Sequence, residues 1–213
     1  MLVTGNAVMM QPVGYVYIYR SGDTNVFKIG KAKDVQRRIK THATGNPEPL
    51  TEFDVIETEH YVQCETYLHH RLRSKQYRRG EGKEWFEVDP DELRGLIVDA
   101  RHYADEVVPM IAECATLSGK ACEDRVLQPT DRVMETYRAL LLTREKYDTL
   151  GFEKDYLEAQ LKKVIGTASG IEGVAAWKTI YSHRLDGDAL REERPEIHAQ
   201  YFREIRFRRF DLL

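Results

Sequence analysis

The chain has 213 residues, 42% of them hydrophobic and 31% charged, with a formal net charge of −3. This balance is typical of a folded protein of one large or two small domains and excludes a disordered chain. No stretch reaches the roughly 18 apolar residues of a membrane-spanning helix, so we expect a cytoplasmic protein with no membrane partner. The three cysteines lack CxxC spacing, which favours isolated thiols over disulfides or a zinc site.

Local charge is more informative than net charge. Between residues 28 and 40 every charged side chain except Asp34 is basic, and between residues 71 and 83 every one except Glu81 is basic. Most charge runs are solvated faces. These two lie among Tyr, His and Trp residues, and that combination favours a phosphate-binding surface.

The first elements predict a β-hairpin followed by a basic helix. After a loose arm over residues 1–13, the run from Tyr15 to Tyr19 alternates aromatic and aliphatic residues, which places its tyrosines on one face and a core-forming aliphatic face opposite. A turn at residues 21–24 leads into a second strand over residues 26–30. Asp34 then caps a helix on which Arg38 and His42 share a face. We expect these side chains to converge on one small positive surface.

The next elements complete a unit that ends near residue 103. A third strand is predicted over residues 53–56, and a helix over residues 60–77 places Glu65 and His69 one turn apart. A short strand at residues 84–88 precedes Asp89 and Pro90, which are typical of the cap and first turn of a helix.

The second half of the chain gives weaker signals. Residues 104–129 read as a linker with a short helix near residues 107–115. Thr130 caps a long helical region with a break at residues 148–151, which gives either a helical hairpin or one kinked helix. A strand is predicted over residues 174–185, then a helix capped by Asp186 and interrupted by Pro195, and finally a strand over residues 204–213.

The sequence reads Tyr-Val-Tyr at residues 15–17 and Lys-Ile-Gly at residues 28–30. These two runs resemble the paired strand motifs that name the GIY-YIG nuclease superfamily, and the resemblance covers residues 14–100. The Glu-xxx-His spacing of Glu65 and His69 and the Glu-Trp-Phe at residues 84–86 are similar to signatures of the phage-type branch.

The resemblance implies an α+β fold, with a mainly antiparallel three-stranded sheet flanked by helices. It implies that Tyr17 is the general base, that Arg38 holds the scissile phosphate, that His42 assists the nucleophile and that Glu65 binds one Mg²⁺ or Mn²⁺ ion. Such an ion stabilises the charge that develops in phosphodiester cleavage. A tyrosine with a pKa of about 10 needs a nearby cation before it can act as a base, and Lys28, Lys31 and Arg38 could supply one.

The implied partner is DNA. Side chains expected to contact it are basic and lie in the two basic runs; they are Lys31, Lys33, Arg37, Arg71, Arg78 and Arg79. Two positions depart from the family, because Lys28 replaces the second-strand tyrosine and Tyr15 replaces the first-strand glycine. Lys28 could contact phosphate, could keep Tyr17 partly ionised, or could mark a weakened active site.

Residues 130–213 contain Gly-Ile-Glu-Gly at residues 170–173, Trp-Lys at residues 177–178 and Pro-Glu-Ile at residues 195–197. With these motifs, this part of the chain resembles the tail of YqaJ-type viral recombinase exonucleases. No acidic catalytic motif accompanies them, so we interpret this part as a helical and β-hairpin accessory module. It would contact DNA or a recombination or phage protein, and the sequence leaves oligomerisation open.

Three hypotheses follow. The first is a metal-dependent DNA endonuclease that processes phage or prophage DNA. The second is a catalytically weakened DNA-binding or recombination-accessory protein. The third, a structural adaptor that oligomerises through residues 130–165, is disfavoured by the two basic runs.

Overall fold

The structure, a computed structural model, describes residues 12–34, 48–77, 83–203 and 207–212. The chain divides into two units. One comprises residues 1–120 and 207–213, and the other comprises residues 121–206.

An antiparallel four-stranded sheet forms the centre of the first unit. Its strand order is β3-β1-β2-β4. The strands are β1 (Gly14–Ser21), β2 (Val26–Ala32), β3 (Leu50–Thr58) and β4 (Trp85–Glu87). The sequence predicted the α+β class and the antiparallel pairing, and both are confirmed. The sheet has one strand more than expected, because Trp85 pairs with Lys28 and so adds β4 to the edge of β2.

The aliphatic face of β1 builds the core, as predicted. Val16 and Ile18 are fully buried and pack with apolar side chains from helices α1 (Tyr61–Arg71) and α2 (Pro90–His102). The tyrosine face is not the open surface that the alternation suggested. Tyr17 has no exposed area and Tyr19 is 3% exposed, so both faces of β1 are buried.

Helix α1 is shorter than the sequence predicted. It ends at Arg71 and is followed by a 3₁₀ turn over Arg73–Lys75 instead of continuing to residue 77. The reason lies in the sheet. Gln76 forms a β-bridge with Phe86, and the Tyr77 amide donates to the Trp85 carbonyl at 2.8 Å, so the chain leaves the helix to join β4.

Helix α2 begins as predicted. The Asp89 carboxylate accepts from the amides of Asp91 at 2.9 Å and Glu92 at 3.1 Å, which satisfies donors that a helix start leaves unpaired. The helix then runs through a π-helical turn (Tyr103–Val107) into α3 (Val108–Ser118). Arg101 holds α2 against β3 through Asp54 at 2.6 Å.

One long helix dominates the second unit. Helix α4 spans Asp131–Ile165 without the break predicted at residues 148–151. The Gly151 backbone costs only about 1 kcal/mol in a helix interior, which is too little to interrupt 35 residues. The Thr130 hydroxyl accepts from the Val133 amide, as the capping prediction required.

The strand predicted over residues 174–185 is much shorter in the structure, and the strand predicted over residues 204–213 is absent from its described part. The structure has two-residue strands β5 (Gly170–Ile171) and β6 (Ala175–Ala176), and no strand over residues 177–186 or 207–212. A run with strand propensity needs a partner to satisfy its backbone, and β6 pairs with β5 over two residues only.

The end of the second unit is helical. Helix α5 (Gly187–Glu193) starts at Asp186, whose carboxylate accepts from the Ala189 amide at 3.0 Å, and helix α6 begins at Pro195 and ends at Tyr201. This confirms the predicted cap and interruption. Across the described ranges, no helix is both long enough and apolar enough to cross a membrane.

Candidate active site

The centre of the candidate site is Gly30, which faces Tyr17 across β1 and β2. A Cβ built on Gly30 would lie 2.4 Å from the Tyr17 hydroxyl oxygen and 2.6 Å from the ring carbon that carries it. The phenol therefore occupies the space where any other residue would place its side chain. This close approach requires glycine and fixes the position of the Tyr17 hydroxyl.

Lys28 lies on the same face as Tyr17 and is buried, with 8% of its surface exposed. Its ammonium is 3.8 Å from a Glu84 carboxylate oxygen and 5.5 Å from the centre of the Trp85 ring. The ion pair and the cation–π contact offset the free-energy cost of removing the Lys28 charge from water. Lys28 is therefore a buried, partnered cation rather than a solvated one.

Tyr19 is the cross-strand partner of Lys28, and its ring lies 5.2 Å from that of Tyr17. Its hydroxyl is buried, and no hydrogen-bond partner for it is present in the described residues. Burial, followed by the charge of Glu52 and the neighbouring Tyr17, raises the pKa of Tyr19 to about 12. Tyr19 is therefore held neutral.

Glu65 and Lys31 form a second part of the site. Glu65 lies on α1 and is 7% exposed, and one of its carboxylate oxygens accepts from the Lys31 ammonium. Lys31 is the residue after Gly30 on β2. The predicted metal ligand and one predicted DNA contact are thus bound to each other.

His69 completes the group one turn after Glu65. Its Nε2 lies 3.0 Å from the carbonyl oxygen of Ile29, and its ring lies 5.1 Å from that of Phe86. The Ile29 carbonyl lies just beyond the end of β4, which pairs with β2 only over residues 26–28. Tyr17, Glu65 and His69 therefore contact three consecutive positions of β2, residues 29–31.

The donor set fits a metal held by one carboxylate. Mg²⁺ commonly keeps several waters and uses one or two carboxylates together with substrate phosphates, and Glu65 supplies one such carboxylate. Within the described part of the chain, no three His, Cys, Asp or Glu side chains come together as a metal-binding group. The Lys31 ammonium contacts the same carboxylate, so a metal ion and Lys31 would compete for Glu65.

A cavity of about 320 Å³ lies beside this group and shares His69 with it. Its lining comes from the second half of α1, from the 3₁₀ turn and the residue after it, and from β4 and the segment before it; the residues are Thr66, His69, His70, Arg73, Gln76, Lys83 and Phe86. Among the described residues, no carboxylate belongs to this lining, and neither Arg73 nor Lys83 makes an ion pair there. The cavity is therefore an electropositive pocket suited to a phosphate.

The other residues predicted to contact DNA or to take part in catalysis lie away from this group or outside the described residues. Arg71 donates to the hydroxyl of Tyr67, one turn earlier on α1, at 2.7 Å, and lies 3.7 Å from Asp99 of α2. Lys33 is exposed just after β2. The remaining predicted residues lie outside the described residues; they are Arg37, Arg38, His42, Arg78 and Arg79.

Sequence reasoning counted Arg73 and Lys83 among the basic runs but did not identify them as a pair. The available signal was the four-residue spacing of His69 and Arg73. That signal was incomplete, because Arg73 lies on the 3₁₀ turn and Lys83 lies in the segment before β4.

Comparison with known proteins gives two similarities. Residues 14–100 match the T5orf172 domain, which indicates a nuclease-like DNA-binding unit over this range. The chain is also 23% identical over 184 residues to an uncharacterized protein, YqaJ, of Bacillus subtilis strain 168.

The YqaJ similarity covers 78% of this chain and 57% of the Bacillus protein, so the chain spans less than two thirds of that relative. The part of this chain that the similarity covers is longer than residues 130–213, whose motifs carry the resemblance to YqaJ-type proteins. No solved structure matches the chain.

Proposed function

We propose that the first unit is a DNA endonuclease of the GIY-YIG type that hydrolyses phosphodiester bonds with Mg²⁺ or Mn²⁺. The proposal is carried by the convergence of Tyr17, Glu65 and His69 on residues 29–31 of β2. These side chains come from two elements far apart in the sequence. The match of residues 14–100 to the T5orf172 domain supports a nuclease-like role.

Tyr17 is assigned to take the proton from the attacking water. Its hydroxyl is held over Gly30, so the base has one defined position relative to β2. Lys28 occupies the neighbouring cross-strand pair on the same face, within the reach of diagonal contacts. A buried ammonium there favours the phenolate of Tyr17 when the proton is transferred.

Glu65 is assigned to hold the divalent cation, which would stabilise negative charge on the phosphate and the leaving oxygen. Binding of the metal ion to Glu65 would release the Lys31 ammonium. The Lys31 ammonium would then be available to contact a DNA phosphate, as predicted. Arg38 and His42 retain their proposed roles, in which Arg38 holds the scissile phosphate and His42 assists the nucleophile.

The electropositive cavity supplies a second point of contact with DNA. Arg73 and Lys83 line this cavity, no carboxylate of the described residues lines it, and it includes His69 of the candidate site. We assign to it a phosphate next to the one that is cut, because phosphate contacts fix the register of a nucleic acid.

A catalytically weakened DNA-binding or recombination-accessory protein is the second candidate. Two observations favour it. Tyr17 has no exposed surface, and the Glu65 carboxylate is already occupied by Lys31. On either reading, residues 130–213 act as an accessory module that contacts DNA or a phage recombination protein.

The experiment that separates the two candidates incubates the full chain with supercoiled, linear and branched DNA, in Mg²⁺, in Mn²⁺ or in chelator. Metal-dependent nicking of any of these substrates supports the endonuclease. Salt-sensitive DNA binding without cleavage under every condition supports the second candidate.

A further inference from the structure

Helix α4 exposes an apolar surface along its whole length. Of its 35 residues, all within the described part of the chain, only Ile165 is buried. The exposed fraction is 62% for Leu150, 52% for Leu157 and 75% for Val164. Large exposed apolar surfaces commonly mark interaction sites. A helix of this length spans about 52 Å, at 1.5 Å per residue.

The apolar residues follow a seven-residue repeat with alternating steps of three and four. Its first core position recurs at Val133, Leu140, Tyr147, Lys154 and Leu161. Its second core position recurs at Thr136, Thr143, Leu150, Leu157 and Val164. All but the two threonines and the lysine are apolar. A 3.5-residue period sustained over five repeats is the pattern of a two-stranded coiled coil.

We propose that α4 pairs with α4 of a second copy of this chain as an antiparallel coiled coil. Antiparallel pairing about a two-fold axis between residues 148 and 149 brings each first core position opposite a second core position. Val133 then meets Val164 of the second copy, and Leu140 meets Leu157. Near the axis, Tyr147 meets Leu150. The two ends and the centre of the seam are thus apolar on both sides.

Charge selects the antiparallel orientation. In a parallel pair, Lys154 would face Lys154 of the second copy within the seam, and Glu153 would flank Glu158. Both contacts are repulsive. In the antiparallel pair, Lys154 of each copy faces Thr143 of the other. Lys146 of each copy also lies beside Glu153 of the other, so this favourable contact occurs twice. Neither Lys146 nor Glu153 makes an ion pair within the described ranges of one chain, so both are available for this contact.

The proposal does not depend on the proposed function. It assigns α4 to self-association, and the resulting dimer carries two copies of the candidate active site.

Sedimentation of the full chain tests the seam. The wild-type chain is expected to be a dimer at micromolar concentration, and Leu150→Asp is expected to raise the dissociation constant at least about 30-fold, since it removes a core leucine from both copies. Leu142→Asp is the matched control, because Leu142 is 58% exposed but lies off the seam. A monomeric wild type, or equal effects of the two changes, would overturn the proposal.

Charge reversal tests the flanking pair without touching the core. Lys146→Glu alone and Glu153→Lys alone should each weaken the dimer about fivefold, and the double variant should restore it. Both sites are on the helix surface, so the fold is not at risk. Failure of the double variant to restore dimerisation contradicts the pairing.

Disulfide trapping tests the orientation. Cys114 and Cys122 are exposed and are first replaced by serine, whereas Cys64 is buried and stays. A mixture of Val133→Cys chains with Val164→Cys chains should then form a crosslinked dimer, and Val133→Cys chains alone should not. Crosslinking of Val133→Cys alone indicates a parallel pair and overturns the antiparallel assignment.

Discussion

Gly30 shows how one residue can define the candidate site. The phenol of Tyr17 lies where a Cβ on residue 30 would be, so glycine is needed here for space rather than for an unusual backbone angle. The sequence placed Tyr17 and Gly30 on paired strands and so indicated that they are neighbours. It could not show that Tyr17 and Tyr19 are buried, because alternation assigns each side chain to one face of the strand but does not show whether other elements cover that face.

Gly30→Ala should lower the free energy of unfolding by about 1–3 kcal/mol, because Tyr17 must move to admit the methyl group. Cleavage should fall further than stability alone explains, since the hydroxyl loses its position. Gly95→Ala is the matched control. No atom lies within 4 Å of a Cβ at Gly95, which is on α2, so this change should stabilise the protein slightly. Chemical denaturation of both variants measures the difference, and a neutral Gly30→Ala would contradict the packing.

Tyr19→Phe should raise the free energy of unfolding by about 1 kcal/mol at neutral pH, because it removes a buried hydroxyl that has no partner in the described residues. The gain should grow with pH. The folded pKa is raised from 10.0 to about 12, so the unfolded wild type loses its Tyr19 proton before the folded state does. The titration of Tyr19 therefore leaves the free energy of unfolding of the wild type unchanged below pH 10 and lowers it as the pH rises toward 12.

The measurement is denaturant unfolding of wild type and Tyr19→Phe from neutral pH to about pH 12. The difference in free energy of unfolding should grow between pH 10 and about pH 12, the two pKa values of Tyr19. Burial also raises the pKa of Cys64 to about 12, but this thiol is present in both proteins and cancels in the difference. A difference that shrinks with pH would contradict the account of Tyr19.

Among the elements, α1 does most to assemble the site. It carries Glu65 and His69 one turn apart and brings them to β2, and this spacing was readable from the sequence because helical periodicity is strong. The end of α1 was not readable. Pairing of Gln76 with Phe86 in the sheet overrides local helix propensity, and that competition creates the cavity beside His69.

Replacing Arg73 and Lys83 together by glutamine should weaken DNA binding and lower the salt slope of the affinity by about two, at roughly one per lost phosphate contact. The control replaces Arg94 and Lys120, which are exposed cations of the same unit outside the cavity. Fluorescence anisotropy against salt concentration reports both quantities. Equal slopes for the two double variants would show that the cavity holds no specific phosphate.

Prediction was weakest for the elements of the second unit. Helix caps at Thr130 and Asp186 were identified correctly, because a capping side chain acts within three residues. The strands predicted over residues 174–185 and 204–213 needed pairing partners, and among their described residues only Ala175 and Ala176 have them. Propensity alone does not provide such partners.

At the scale of the whole molecule, the chain joins a nuclease-like unit to a helical module with a long apolar seam that is mostly exposed. Composition excluded a disordered chain, and the motifs of residues 14–100 led to the fold of the first unit. Self-association could not be settled from composition, because the same apolar residues would suit an internal helical hairpin. The unbroken course of α4 excludes that hairpin and leaves its apolar seam available to a second copy.

The most direct test of the central claim compares the cleavage rates of wild type and Glu65→Gln on supercoiled DNA in Mg²⁺, at concentrations giving equal DNA occupancy. Glutamine preserves the shape of the side chain but cannot supply a carboxylate to a cation. The proposed function predicts that nicking is lost in Glu65→Gln while DNA affinity stays within about twofold, since Glu65 is not assigned to a phosphate contact. Undiminished nicking by Glu65→Gln would contradict it.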